Sequence, residues 1–186
     1  MVTRFHSGGA GARPTLDGLS ATPFPSGVRN VPVEVTEAIT PIVVWRKELC
    51  ADSGGAGRQR GGLGQVMEIS NREDAPFGIF ASFERVCFPP RGRNGGGVGR
   101  TGRLRLASGA ELRNKGFQTI PARDRLIVEM PGGGGYGDPL ERNMAEVATD
   151  VRLGYVGRVA AEREYGVVVG PDGYVVSPGI ARDGSG

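Results

Sequence analysis

DSGGAGRQRGGLG at residues 52–64 and PGGGGYGDPLERN at residues 131–143 decide how the rest of this chain is read. In the first run glycine displaces nearly every ordinary core residue, and the second repeats the pattern just ahead of a helix start. Glycine at that density permits positive φ and very close approach of backbone to a ligand or to another chain segment. Arg58 and Arg60 add planar, permanently charged forks suited to carboxylates and phosphates. The two loops together predict a surface built for contact.

Working outward, 33 of the 186 residues are glycine and 13 are proline, against roughly 7% glycine in average proteins. The glycines cluster at 8–11, 54–64, 92–102 and 132–137 with apolar segments between them, which reads as loop punctuation in a folded chain. The formal net charge is only +3 and Lys47 and Lys115 are the only lysines, so electrostatic steering is weak and nucleic acid is not indicated. Arg58-Gln-Arg60-Gly-Gly and Arg91-Gly-Arg93 lie between strand-like segments with little aromatic interleaving, unlike disordered RGG tracts that bind RNA. Cys50 and Cys87 stand far apart with no CxxC, as in a reducing compartment. There is no apolar run near ~18 residues and no apolar core of a signal peptide at the N-terminus. A cytoplasmic location without a membrane partner is the expectation.

Residues 1–30 read as irregular. Extended segments are expected at Val31–Val35, Ile42–Leu49, Leu63–Ser70, Gly78–Phe88, Arg103–Ala107 and Arg125–Met130. Arg103-Leu-Arg-Leu alternates at every position, as on a half-exposed strand, and residues 124–130 form a more buried apolar run. At Asp138 the character changes: an N-cap Asp, a Pro at the first helical position and Glu141 three residues on start a helix. Leu140, Met144, Val147, Ala148 and Val151 continue as a helical stripe that Gly154 should end. A second helix from about Val156 to Tyr165 stops at Gly166. Val167–Val169 and Tyr174–Val176, joined by Gly-Pro-Asp-Gly, read as a hairpin. The predicted class is α+β: a β-rich, loop-rich body over 1–137, a C-terminal helical pair and terminal hairpin over 138–180 of the same domain, and a tail at 181–186.

Candidate chemistry is sparse. Gly132-x-Gly134-x-x-Gly137 matches a dinucleotide fingerprint between strand and helix, but no βαβ unit with a ribose-binding acid follows. A tight glycine turn is the plainer reading, and bare N–H groups at a helix start still suit an anion. Gly97-x-Gly99-x-x-Gly102 leads into a strand and is set aside. No GxxxxGK[ST] loop exists. His6 is the only histidine, so neither a clustered metal site nor a Ser53-based hydrolase is indicated. Asp17 and Asp52, in glycine-rich loops, are the carboxylates best placed for catalysis or orientation, while Glu34 and Glu37 flank a strand end.

The series GGAGARPTLDGLSAT (8–22), NVPVEVTEAITP (30–41), DSGGAGRQRGGLG (52–64), FPPRGRNGG (88–96), PGGGGYGDPLERN (131–143) and DVRLGYVGRVAAEREYGVVV (150–169) resembles the hydantoinase B/5-oxoprolinase family, in one order over about residues 6–170. The resemblance implies the C-terminal portion of an ATP-dependent cyclic amidohydrolase. In that family an A-type ATP-binding partner phosphorylates a lactam or carbonyl oxygen and the B-type unit completes hydrolysis, or carboxylation in the acetone-carboxylase-like members. ATP and a divalent metal belong to the complete assembly, with no cofactor or metal in this chain. A missing N-terminal B-type segment, carrying the family's metal-binding residues, is the other implied partner. The chain is then a fragment, part of a split gene or a relic, inactive alone. A non-catalytic interaction module for the A-type subunit is the rival. Asp17, Asn30 and Glu34 are the catalytic candidates near the absent part. Asp52, Ser53, Arg58 and Arg60 are candidates for anion or interface contacts, with Gly132, Gly133, Gly134 and Gly135 offering backbone N–H groups.

Overall fold

The structure, a computed structural model, describes residues 6–23, 26–28 and 31–178. Its elements in chain order are α1 (Val33–Ile39), β1 (Ile42–Leu49), β2 (Gln65–Asn71), β3 (Phe77–Ser82), β4 (Arg103–Leu106), β5 (Lys115–Ile120), β6 (Leu126–Glu129), a 3-10 turn at Pro139–Glu141, α2 (Met144–Arg152), α3 (Arg158–Tyr165), β7 (Val167–Val169) and β8 (Val175–Pro178). Helices and small antiparallel sheets make it α+β, the class expected. An antiparallel sheet of order β1-β2-β6-β4 carries the body, β3 pairs with β5, and β7 pairs with β8. All of Leu126-Ile-Val-Glu in β6 is buried, in keeping with its apolar run. Met67, Ile69, Leu106, Ile120, Leu126 and Val128 form one core on this sheet. Val147, Ala148, Val156, Ala161, Tyr165, Val167 and Val169 form a second between the C-terminal helices and β7.

Three local expectations are corrected. The helix does not start at Asp138, which caps only the 3-10 turn Pro139–Glu141; Arg142 is extended, α2 starts from the N-cap Asn143, and Leu140 and Met144 are exposed. Val31–Val35 is not extended: residues 33–39 form α1. The Val-Pro-Val-Glu-Val alternation is overridden by an i,i+4 pair, Thr36 and Thr40, that is buried and linked by Thr40 Oγ1 donating to the Thr36 carbonyl at 2.7 Å. The Glu37 carboxylate accepts the Val44 N–H at 2.8 Å, fastening the helix to β1. The strand expected to run to Phe88 ends at Ser82, and β5 was not anticipated. The expected tail at 181–186 lies outside the described residues.

Between the two cores the glycine segments meet each other. They prolong the sheet past its end: Cys50 N–H donates to Gly64 O and Met130 N–H to Gln65 O, both at 2.8 Å. Segment 132–135 then runs through the middle of a bundle. A Cβ on Gly132 would stand 1.8 Å from Ser53 O, on Gly133 1.9 Å from Ala10 O, on Gly134 2.1 Å from Arg91 O, and on Gly135 2.0 Å from Ala56 O. Gly132 and Gly135, three apart, face the same neighbouring segment, while the two between face others. That is the repeat of a three-residue helix of the polyproline II kind, where only glycine fits against a crowded axis. None of these four glycines takes a positive φ. Close approach, not left-handed backbone, is why the positions are glycine.

Candidate functional site

The glycine bundle brings three distant stretches to one place. Asp17, from the irregular N-terminal stretch, accepts the Arg60 backbone N–H at 2.7 Å through Oδ1. Arg142, just ahead of the N-cap of α2, closes a bidentate fork on the same carboxylate, Nη1 to Oδ1 at 2.8 Å and Nη2 to Oδ2 at 2.7 Å. Arg142 Nη2 also donates to Asp150 Oδ2 at 2.9 Å, and Arg60 Nε reaches that oxygen at 3.1 Å. The side chains of Arg142, Arg60 and Asp150 are 2%, 6% and 8% exposed, and that of Asp17 is 32%. The tetrad carries two positive and two negative charges, so burial is compensated within the cluster, as buried ions require.

The electrostatics follow. Burial alone would raise the Asp17 pKa, but the Arg142 fork and the Arg60 contacts hold it below its ordinary value. Burial likewise works against the charged form of Arg142, yet Asp17 and Asp150 hold its pKa above the usual arginine value. Tyr165, beside this group, is pushed up chiefly by burial. Arg60 lies over the Tyr155 ring at 5.4 Å from its centroid, a cation–π contact that further fixes the guanidinium.

A cavity of about 530 Å³ opens beside the tetrad, lined among others by Leu16, Asp17, Gln59, Glu146 and Thr149. Its charged wall is occupied with internal bonds. Both Asp17 oxygens are engaged, and Arg142 Nη1 also donates to Arg58 O at 3.1 Å. Beside the tetrad the cavity lining holds the Glu146 carboxylate and the Thr15 and Thr149 hydroxyls. Among the described residues no group of three or more His, Cys, Asp or Glu is arranged to hold a metal. The arrangement positions chain segments and presents a shaped surface.

The other sequence candidates scatter. Asn30 lies outside the described residues. Glu34 stands exposed in the first turn of α1, in a different element from the tetrad. Asp52, at φ +56, accepts the Gly157 N–H at 2.7 Å and so ties the first glycine run to the start of α3. Ser53 is fully buried, its Oγ donating to Cys50 O at 2.5 Å and accepting from Gly64 N–H at 2.9 Å. Arg58 is exposed and reaches Glu141 at 3.4 Å. Gly132, Gly133 and Gly135 donate their N–H groups to Arg100 O, Gly62 O and Gly97 O, and all of Gly132–Gly135 is buried. These donors serve the bundle. Sequence reasoning missed Arg142 and Asp150. The available signal was Asp150, three residues after Val147 on the apolar stripe of α2, where an unpaired carboxylate would be costly.

The family model described as hydantoinase B/oxoprolinase matches residues 1–139. The beta subunit of a caprolactamase from Pseudomonas jessenii is 36% identical over 185 residues, covering 93% of this chain and 32% of that protein. 5-oxoprolinase 1 from Arabidopsis thaliana is 35% identical over 135 residues, 70% of this chain and 10% of that protein. The crystal structure of the ATP-dependent caprolactamase from Pseudomonas jessenii superposes with a TM-score of 0.77 at 30% identity, over 91% of this chain and 31% of that one. The chain therefore spans about a third or less of the length of these relatives.

Proposed function

The chain belongs to the hydantoinase B/oxoprolinase family, and from that membership we propose that it serves as the C-terminal portion of an ATP-dependent cyclic amidohydrolase. The substrate class is a lactam or hydantoin ring, the reaction ring opening by water, and the partners an A-type ATP-binding subunit and the preceding part of a B-type subunit. The observation that carries this reading is the likeness to a caprolactamase beta subunit across nearly the whole chain, joined to the same fold in the solved caprolactamase. The chemistry is consistent with it. A ring amide resists water; transfer of the γ-phosphoryl group of ATP to its oxygen, with ADP leaving, makes the carbon electrophilic. Addition of one water then lets the ring C–N bond break as the nitrogen takes a proton, and a second water hydrolyses the resulting acyl phosphate to carboxylate and phosphate.

In this reading ATP binds the A-type subunit, and any divalent metal belongs to the complete assembly. Asp17 acts as a positioning residue, because its oxygens already accept from Arg60 and Arg142. The contribution of this chain is a rigid wall, with Arg58 and Asp52 exposed on it for interface contacts. The test is co-expression of the chain with an A-type subunit and the remaining B-type portion, followed by assay of ATP-dependent opening of caprolactam, hydantoin and 5-oxoproline. Ring opening that needs all the components is expected. Full activity from the other components without this chain, or none from the complete mixture, would reject the reading.

A further inference from the structure

The cavity of about 530 Å³ beside the tetrad takes its walls from three parts of this chain, each held by its own backbone. The turn closed by the Arg13–Leu16 bridge supplies Thr15 and Leu16. Gln59 is pinned through both of its backbone groups, its N–H donating to Tyr136 O and its carbonyl accepting from Tyr136 N–H, each at 2.9 Å. Ala145, Glu146 and Thr149 come from the first two turns of α2, and the Asp17–Arg142 fork locks the N-terminal stretch to the start of that helix. The cleft is thus preformed, which lowers the ordering cost of binding in it.

The wall offers acceptors and withholds cationic donors. Arg142 is the only cation among the lining residues. Its Nη1 already donates to Asp17 and the Arg58 carbonyl, its Nη2 to Asp17 and Asp150, and its Nε is buried from solvent. Two further arginines nearby are engaged as well. Arg152 Nη2 donates to Thr149 Oγ1 at 2.9 Å with its guanidinium over the Tyr174 ring, and Arg13 reaches the Asp17 carbonyl at 3.5 Å. An anion in the cleft would meet carboxylates and no free guanidinium. The Glu146 carboxylate, by contrast, is 57% exposed and has only a 3.6 Å contact with Arg142. The Gln59 carboxamide and the Thr15 hydroxyl take part in no hydrogen bond among the described residues. Leu16 and Ala145, both exposed, add apolar surface to the same wall. One charged and two neutral acceptors around a short apolar strip suit a positive group with several N–H donors on a methylene chain.

We propose that this cleft binds a small primary ammonium ion, which donates to Glu146, to Gln59 Oε1 and to Thr15 Oγ1 while its methylenes lie on Leu16 and Ala145. Opening a lactam frees an amino group that is protonated at neutral pH. The ligand is then the amino end of the ring-opened product, an assignment that rests on the functional reading above, whereas the ammonium class rests on the cleft. The test titrates the full chain with hexylammonium, 6-aminohexanoate, hexanoate and caprolactam, following backbone amide shifts by NMR. Saturable shifts centred on Leu16, Gln59 and Glu146 are expected with the two amines, and none with hexanoate. Glu146→Gln is expected to weaken hexylammonium about three- to fivefold, and Leu16→Lys, which adds a cation to the wall, to weaken it further. The control Glu162→Gln, an exposed carboxylate on α3, is expected to bind like the wild type. Hexanoate or caprolactam binding as tightly as hexylammonium, an affinity unmoved in both wall variants, or no binding at all would overturn the site. None of these outcomes touches the functional reading, which the ring-opening assay decides. Binding of hexylammonium without 6-aminohexanoate would overturn the product assignment and uphold the ammonium site.

Discussion

Arg142 holds three regions of the chain through one guanidinium. Its fork grips Asp17 from the N-terminal stretch, its Nη2 shares Asp150 with Arg60, and its Nη1 takes the Arg58 carbonyl. With so little of Arg142 and Asp150 exposed, the cost of ion burial has been met by pairing, and removing one member leaves charge that nothing compensates. Arg142→Leu is therefore expected to lower stability by about 3–5 kcal/mol in a denaturant titration at neutral pH. The acid limb gives an independent reading of the same contact. The folded-state pKa of Asp17 is depressed below its ordinary 3.8, so its contribution is complete above that value and is lost as pH falls through the folded pKa. Asp17→Asn should flatten that limb, and a wild-type stability curve with no loss at low pH would contradict the assignment.

At the scale of the element, what could be read from sequence depended on whether the signal was local. β1 was expected at Ile42–Leu49 and lies there, because its β-branched residues and half-buried pattern agree. Gly166 ends α3 in the left-handed region at φ +64, as a C-terminal glycine should. β5 was missed because Lys-Gly-Phe-Gln-Thr-Ile has a weak alternation and its partner β3 is distant in sequence. The glycine runs were recognised as close-contact segments, but their contact is with one another, which no local pattern reveals. This can be measured by comparing two alanines. Gly133→Ala would place a Cβ 1.9 Å from Ala10 O, backbone that cannot swing away, whereas Gly11→Ala has its nearest neighbour at 3.9 Å. The first should cost at least the ~1–3 kcal/mol of overpacking, and the second should stay within about 0.5 kcal/mol. Equal unfolding midpoints for the two variants would mean that the bundle is not packed as described.

The whole molecule depends on contacts that cross from its beginning to its end. The matched family region stops at residue 139, yet two of the four charges in the tetrad, Arg142 and Asp150, lie after it. Asp52 adds a second tie across the same division, its N–H donating to Tyr155 O at 3.1 Å and its carboxylate accepting from Gly157. Ala56, in the first glycine run, packs against the C-terminal core. Cutting the chain after Gly137 would thus strand Asp17 and the buried Arg60 without their shared partners and bare one face of the bundle. The bundle has little to offset this, since glycines bury little apolar surface and lose the most backbone freedom on ordering. Residues 1–137 alone are expected to lose hydrogen-exchange protection at Gly55, Gly62, Gly97 and Gly133, while the intact chain keeps it. Supplying residues 138–178 in trans should restore that protection, and Arg142→Leu in the added piece should prevent the rescue. Full protection in 1–137 by itself would mean that the sheet core holds the glycine segments together, and that the charge tetrad is an attachment rather than a clamp.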